Sequence, residues 1–400
     1  MKGYLLLSAL ACALISAVPA QAEKKYDPGV TDTTIKVGQT MPYSGPASAY
    51  GQIGRAEVAY IKMINDEGGI NGRKIEIISL DDGYSPPKTV EAVRRLVEQD
   101  GVFILFSTLG TAPNSAVQRY LNDKKIPQLL VSSGASKFND PKKFPWTTPG
   151  TPNYQTEAHL YAQQILMTKP AAKIAVLYQN DDLGKDYLKG LKEGLGDKAK
   201  LIVAEQSYET SDPTIESQIV SLKASGADVL MNFATPKFAA QAIRKVAELG
   251  WKPDQYLGVV SASVGAVLTP AGLDNSIGVI TLLFAKDATD KTWDNDEGMK
   301  AFRGFMKKYL PEANVSDAFN SYGYGQAQLL VYVLKQCGDE LTRENVMKYA
   351  TSIKDFELPL SLPGVKINTS ADDYDGVRSA QLARFDGKTW ARFGDVLSKK

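Results

Sequence analysis

The chain carries a single histidine, His159, and only two cysteines, Cys12 and Cys337. A Ser-His-Asp triad, a Cys-His pair or a multi-histidine metal site would each have to be built around that one imidazole, which removes much of hydrolytic and metal-dependent chemistry from consideration. His159 itself falls in an amphipathic stretch, Tyr154 to Met167, where it reads as a solvated or capping residue. Charge of one sign is equally scarce. With 46 Lys and Arg against 45 Asp and Glu, no field attracts nucleic acid or an anionic membrane, so neither is expected as a partner. The basic pairs Lys124-Lys125, Lys142-Lys143 and Lys307-Lys308 are scattered and offset by acids. Also missing are a G-x-x-x-x-G-K-[ST] phosphate loop, a G-x-G-x-x-G turn after a strand, a G-x-S-x-G elbow and an H-E-x-x-H helix. The sequence therefore points away from an enzyme and calls for no cofactor and no metal.

Long apolar runs are rare too. The stretch from Tyr4 to Val18 follows Lys2 and leads through Pro19 into Ala20-Gln21-Ala22, the pattern of a signal peptide cleaved after Ala22. It is short for a membrane span, which needs about 20 residues, and no later segment is longer and as apolar. Residues before Cys12, Ala9-Leu10-Ala11, match a lipoprotein signal poorly. We expect a soluble protein exported to the periplasm, with Cys337 left alone as a small core residue and no internal disulfide.

What is present is the rhythm of an α/β protein. A strand at Ile35 to Met41, a helix at Ile53 to Glu67, and strands at Lys74 to Leu80, Val102 to Phe106 and Gln128 to Val131, with helices at Pro87 to Gln99 and Asn114 to Asn122, describe one doubly wound Rossmann-like lobe. The pattern restarts after Phe144 to Pro152. Helices at Tyr154 to Met167, Lys185 to Leu195, Thr214 to Ala224 and Phe238 to Leu249 alternate with strands at Lys173 to Tyr178, Leu201 to Ser207, Asp228 to Phe233 and Tyr256 to Val260, giving a second lobe of the same kind. The last third is less regular, with helices near Asp296 to Tyr309, Ala318 to Gln336 and Arg343 to Thr351 and strands near Arg378 to Arg384 and Thr389 to Phe393. Such an ending fits a chain that returns to an earlier lobe.

In open α/β sheets ligands bind outside the carboxyl ends of the strands, so two facing lobes create a cleft lined by strand-end loops. In the first lobe these loops are Tyr43-Ser44-Gly45-Pro46 with Tyr50, then Ser107 to Thr111, then Ser132-Ser133-Gly134-Ala135-Ser136. Leu109-Gly110-Thr111 stands just before Pro113, a residue favoured in the first turn of a helix, so free N–H groups and hydroxyls converge there on an anion. Thr111, Ser136 and local N–H groups would hold a carboxylate without an Arg. Ordinary capped βα turns would look the same. The paired acids Asp81-Asp82, Asp181-Asp182 and Asp372-Asp373 read as caps and turns.

Ile35-Lys36-Val37 to Tyr50-Gly51, the run Ile64-Asn65-Asp66-Glu67-Gly68-Gly69-Ile70-Asn71-Gly72-Arg73-Lys74, Asp81-Asp82 and Ala175 to Gly184 together resemble the exported solute-binding subunits of branched-chain amino acid ABC transporters. The resemblance extends more weakly over essentially the whole chain after residue 22. It implies the type I periplasmic binding protein fold, three crossings between lobes, and hinge closure of a monomer around a small solute presented to a membrane permease of an ABC importer. We expect lobe 1 to comprise 30–151 and 284–376, and lobe 2 to comprise 152–283 and 377–400. By the same resemblance the family's ligand tyrosine falls on Tyr50, its carboxylate site on Gly110 and Thr111, and its small-residue ligand turn on Gly134-Ala135-Ser136. The cysteines that pair in the amino acid binders correspond to Tyr84 and Leu109. A covering tyrosine of the second lobe corresponds to Leu183, the acid that pairs with the ligand ammonium falls at about Val260, and its companion tyrosine falls near Ala234. Loss of that acid points to an aromatic or apolar organic acid without an amino group, with a hydrophobic amino acid or amide as the alternative. A sensory receptor domain, or an exported enzyme on the same fold, is the competing class. A sensor would be expected to carry a dedicated partner surface or an attached signalling segment, and an enzyme needs activated chemistry, which is not visible.

Overall fold

The computed structural model describes residues 24–398. The signal peptide expected at 1–22 lies outside them. After a two-residue strand β1 (Lys25–Tyr26), the chain builds β2 (Thr34–Met41), α1 (Gly51–Asp66), β3 (Lys74–Asp81), α2 (Pro86–Glu98), β4 (Ile104–Phe106), α3 (Thr111–Asp123), β5 (Gln128–Val131) and β6 (Thr147–Pro149). Five of these strands form a parallel sheet in the order β3-β2-β4-β5-β6. Its inner strands are apolar runs because helices cover both faces: Ile104, Leu105 and Phe106 have no exposed surface. Val93 and Leu96 of α2 pack with Val117 and Leu121 of α3 against one face, and α1 covers the other.

The second sheet is assembled from α4 (Tyr154–Thr168), β7 (Ile174–Gln179), α5 (Asp182–Leu195), β8 (Ile202–Tyr208), α6 (Glu216–Ala224), β9 (Val229–Phe233), α7 (Pro236–Glu248), β10 (Asp254–Leu257), the short helices α8 (Thr269–Ala271) and α9 (Leu273–Ser276), and β11 (Ile280–Leu283). The chain then returns to the first sheet. There α10 (Glu297–Tyr309), α11 (Ala318–Gln336) and α12 (Arg343–Ala350) join α1 in one core, and β12 (Glu340–Leu341) pairs with β1. Finally β13 (Ser379–Phe385) adds antiparallel to β11 and β14 (Trp390–Ser398) antiparallel to β13, closing a seven-stranded sheet in the order β14-β13-β11-β10-β9-β7-β8.

Two differences from the sequence reading bear on the site. The strand expected over Tyr256 to Val260 ends at Leu257, and 259–261 form a 3-10 turn. The cause is Glu157, buried on α4, whose carboxylate accepts the Val259 N–H at 2.7 Å and takes that residue out of the ladder. β6 and β11 were not anticipated at all. Neither follows a long amphipathic helix, the signal that flanked β4 and β5: β6 comes after the turns around Phe144, and β11 after the short helices α8 and α9.

Candidate functional site

Both sheets point their strand carboxyl ends at a cavity of about 190 Å³ between them. Of the residues singled out in the sequence, Tyr50, Leu109, Gly110, Thr111, Leu183 and Val260 line it. Tyr50 tilts against Phe319 of α11 at 5.0 Å between ring centres, and both rings pack with Tyr84, Leu109 and, from the second sheet, Val260. Gly110 caps α3 at φ 103, a conformation suited to glycine, and a Cβ there would lie 2.6 Å from the Tyr84 ring. That tight turn delivers the first N–H groups of α3, which have no partner inside the helix, to the cavity wall.

Beside them sits a cluster of hydroxyls. Thr111 Oγ1 is 2.7 Å from Ser133 Oγ, and the Tyr154 hydroxyl lies close enough to both to feel them. Burial pushes the Tyr154 hydroxyl up to about 12, so it stays a neutral donor at ordinary pH. Helix dipole, first-turn N–H groups and convergent O–H donors make this end of the cavity suited to an anion. Most of the remaining wall is apolar: Ile53, Leu109, Leu183, Val260, Leu282 and Phe319.

Four expected residues do not line the cavity. Ser136 was expected to bind the carboxylate, but its N–H and hydroxyl both go to Asp186 of α5, at 2.6 and 3.1 Å, with Gln155 Nε2 donating to the same hydroxyl. Ala135 is buried in the core with Phe138 and Tyr154. Gly134 lies behind Tyr154: its carbonyl accepts the Tyr154 N–H at 2.9 Å, and a Cβ would collide with the Pro152 carbonyl. Ala234 is fully buried and its carbonyl accepts the Ser261 hydroxyl at 2.6 Å. These residues support the wall instead of forming it.

The sequence reading missed Tyr84, Tyr154, Phe319, Tyr322, Lys286 and Asp287, all of which line the cavity. Lys286 is held by Asp296 at 2.6 Å and the Pro359 carbonyl at 2.9 Å. Asp287 Oδ1 accepts the Thr289 N–H at 2.8 Å and also the Thr289 hydroxyl, and burial raises its carboxyl above the usual range. An acid therefore stands on the wall, although not near Val260. The signal that could have found this pair is Ile280-Thr281-Leu282-Leu283, a short apolar run whose carboxyl end is again a site position.

The second-sheet wall is set by Glu157. Besides the Val259 N–H it accepts the Tyr187 and Tyr161 hydroxyls, at 2.7 and 3.1 Å, and burial lifts its carboxyl from 4.5 to about 7 against the pull of those donors. The two halves also meet directly around the cavity. Lys137 pairs with Asp182 at 2.9 Å, the Ser263 hydroxyl donates to Asp317 at 2.9 Å, and the Gly265 N–H donates to the Ser316 carbonyl at 2.9 Å. The paired aspartates serve as expected: Asp181 caps α5, and Asp82 accepts the Tyr84 N–H and the Thr89 hydroxyl. Cys337 is buried and unpaired, and no helix among the described residues is long and apolar enough to cross a membrane.

Comparison with known proteins agrees with this geometry. The chain is 28% identical over 315 residues to Leu/Ile/Val-binding protein homolog 1 of Brucella abortus (strain 2308), covering 78% of this chain and 80% of that one. A branched-chain amino acid ABC transporter structure from Thermus thermophilus with bound valine superposes with a TM-score of 0.83 at 16% identity, over 92% of this chain and 98% of the other. A solute binding protein of an ABC transporter from Rhodopseudomonas palustris BisB5, in complex with 3,4-dihydroxy benzoic acid, gives 0.76 at 20% identity, over 91% and 97%. A family model described as periplasmic binding protein matches residues 34–389. The chain belongs to the periplasmic binding protein family, with its two α/β lobes, and is a solute-binding protein, not an enzyme.

Proposed function

We propose that this member of the periplasmic binding protein family is the exported solute-binding subunit of an ABC importer, working as a monomer that closes on a small apolar or aromatic carboxylate and presents it to a membrane permease. The observation that carries the reading is the pairing of one polar end, the α3 N-terminus with Thr111 and Tyr154, backed by Ser133, with a wall that is otherwise mostly apolar. A carboxylate removed from water needs several strong donors, and these groups supply them without a cation. Valine and 3,4-dihydroxybenzoic acid, bound in the two structural relatives, share a carboxylate and differ in the ammonium. Closure divides the chain as 30–151 with 284–376 and 152–283 with 377–400.

A hydrophobic amino acid is the second reading, and Asp287 on the wall is the observation that favours it. Its Oδ1 is committed to Thr289, which weakens its hold on an ammonium. The test is a thermal-shift panel of leucine, valine, 4-hydroxybenzoate and p-coumarate. Ligand at a hundred times its Kd stabilises the fold by about 2.7 kcal/mol, an easily read shift. A rise with the aromatic acids and none with leucine or valine is expected; the reverse pattern returns the protein to the amino acid class.

A further inference from the structure

Among the described residues lining the interlobe cavity, Asp287 is the only acid, and the carboxylate reading leaves it unused. It stands just beyond β11, where the chain leaves the second sheet for the first. The turn it opens holds it in place: its carbonyl accepts the Asp290 N–H at 3.2 Å, and Oδ1 accepts both the N–H and the hydroxyl of Thr289. Oδ2 has no partner among the described residues, yet it is not sealed inside the core. The residue keeps 9% of its surface, on the cavity wall.

No cation answers this oxygen. Lys286 beside it turns to Asp296 and the Pro359 carbonyl, and Arg392 stands 3.8 Å from Asp290, whose own carboxylate adds like charge next to Asp287. A carboxyl oxygen facing a space that loses its water on closure is costly unless a donor meets it. The surroundings also say how many donors suit it. The wall residues before it, Leu282, Leu283, Phe284 and Ala285, carry apolar side chains, and the Phe284 carbonyl is taken by the Leu362 N–H at 3.1 Å. One free acceptor oxygen matches a group with one hydrogen to give. A hydroxyl has one; an ammonium has three, and no other acidic side chain stands on this wall to take the rest.

We infer that Asp287 is a specificity-determining residue of this site, and that the solute is a hydroxy acid, with its carboxylate at the Thr111 end and one O–H on its apolar body donating to Asp287 Oδ2. The inference rests on the carboxylate reading above and narrows it from any apolar acid to one bearing a hydroxyl.

Isothermal titration of the mature protein with matched pairs of acids tests it: 2-, 3- and 4-hydroxybenzoate and p-coumarate, each against the analogue with a methyl group in place of the hydroxyl. A methyl is close to a hydroxyl in size and cannot donate, so the affinity ratio within a pair reads the donor. In at least one pair the hydroxy acid should bind roughly ten- to hundredfold tighter, the usual worth of a hydrogen bond to a charged group. Asp287→Ala should bring that ratio to within about twofold by weakening the hydroxy acid alone, whereas a merely structural role would weaken both members of the pair equally. No preference for the hydroxyl in any pair, equal losses within the pair in Asp287→Ala, or 4-(aminomethyl)benzoate bound more tightly than every hydroxy acid would overturn the inference while leaving the carboxylate site standing. The first and last of these are read on the parent protein, so the test survives a variant that does not fold. Failure of every acid to bind, with or without a hydroxyl, would remove the carboxylate reading itself.

Discussion

Replacing Glu157 by glutamine should change how stability depends on pH, and the structure sets the size of the change. The side chain is 1% exposed and its carboxyl is raised by burial from 4.5 to about 7. A folded-state value above the unfolded one means that the native protein holds a proton the unfolded chain has released. The stabilisation is thus full below about 4.5 and is lost as pH rises through 7. At about 1.36 kcal/mol per pKa unit, the loss over that window is roughly 3 kcal/mol. Glutamine is neutral throughout and keeps one acceptor for the Val259 N–H or a tyrosine hydroxyl, so near pH 5 the variant and the parent should differ by only about 1 kcal/mol. Equilibrium urea unfolding of both proteins without ligand, at pH 5 and pH 8.5, reads the difference, and every other titrating group cancels because both share it. The variant should gain about 3 kcal/mol on the parent between the two pH values. A difference that stays constant across pH would refute the assignment of a buried, proton-holding carboxyl to this position.

Thr111→Val keeps the shape of the anion end and removes one donor; since a hydrogen bond to a charged group is worth about 1.5–3 kcal/mol, affinity for the bound acid should fall roughly ten- to hundredfold by calorimetry. Ser136→Ala, by contrast, should leave that affinity within about twofold and reduce stability instead, because its hydroxyl serves Asp186. Gly323→Ala should destabilise by about 1–3 kcal/mol, lowering Tm by several degrees, because a Cβ there would lie 2.5 Å from the Ile53 carbonyl oxygen where α1 and α11 cross. In solution scattering, saturating acid should reduce the radius of gyration of the free protein, and an unchanged radius would count against closure.

Much of the scaffold was legible because long amphipathic stretches and isolated apolar runs carry their own period. The helix Ala318–Gln336 was read to both of its ends, and β5 likewise. Tyr50, Thr111, Leu183 and Val260 were legible for a different reason, since residues after parallel strands line a cleft wherever two such sheets face one another. The illegible part depends on contacts distant in sequence. Five residues after β5 include three serines, and nothing local says that Ser133 supports Thr111 while Ser136 turns to an aspartate 50 residues on. Phe319 and Tyr322 reach the cavity only because α11 returns to the first core. Lys286 and Asp287 follow β11, a strand as long as β5 but preceded only by the short helices α8 and α9, so no amphipathic helix marks it as part of a βα unit. Asp287, the acid on the wall, was missed with that strand.

The most direct measurement is a crystal structure with whichever carboxylate gives the largest shift in the panel. The carboxylate is expected within hydrogen-bond distance of Thr111 Oγ1 and the first N–H groups of α3, with the body of the ligand lying among Leu109, Leu183, Val260 and Phe319. A carboxylate bound instead to Lys286, or a ligand seated with its apolar end at Thr111, would contradict it.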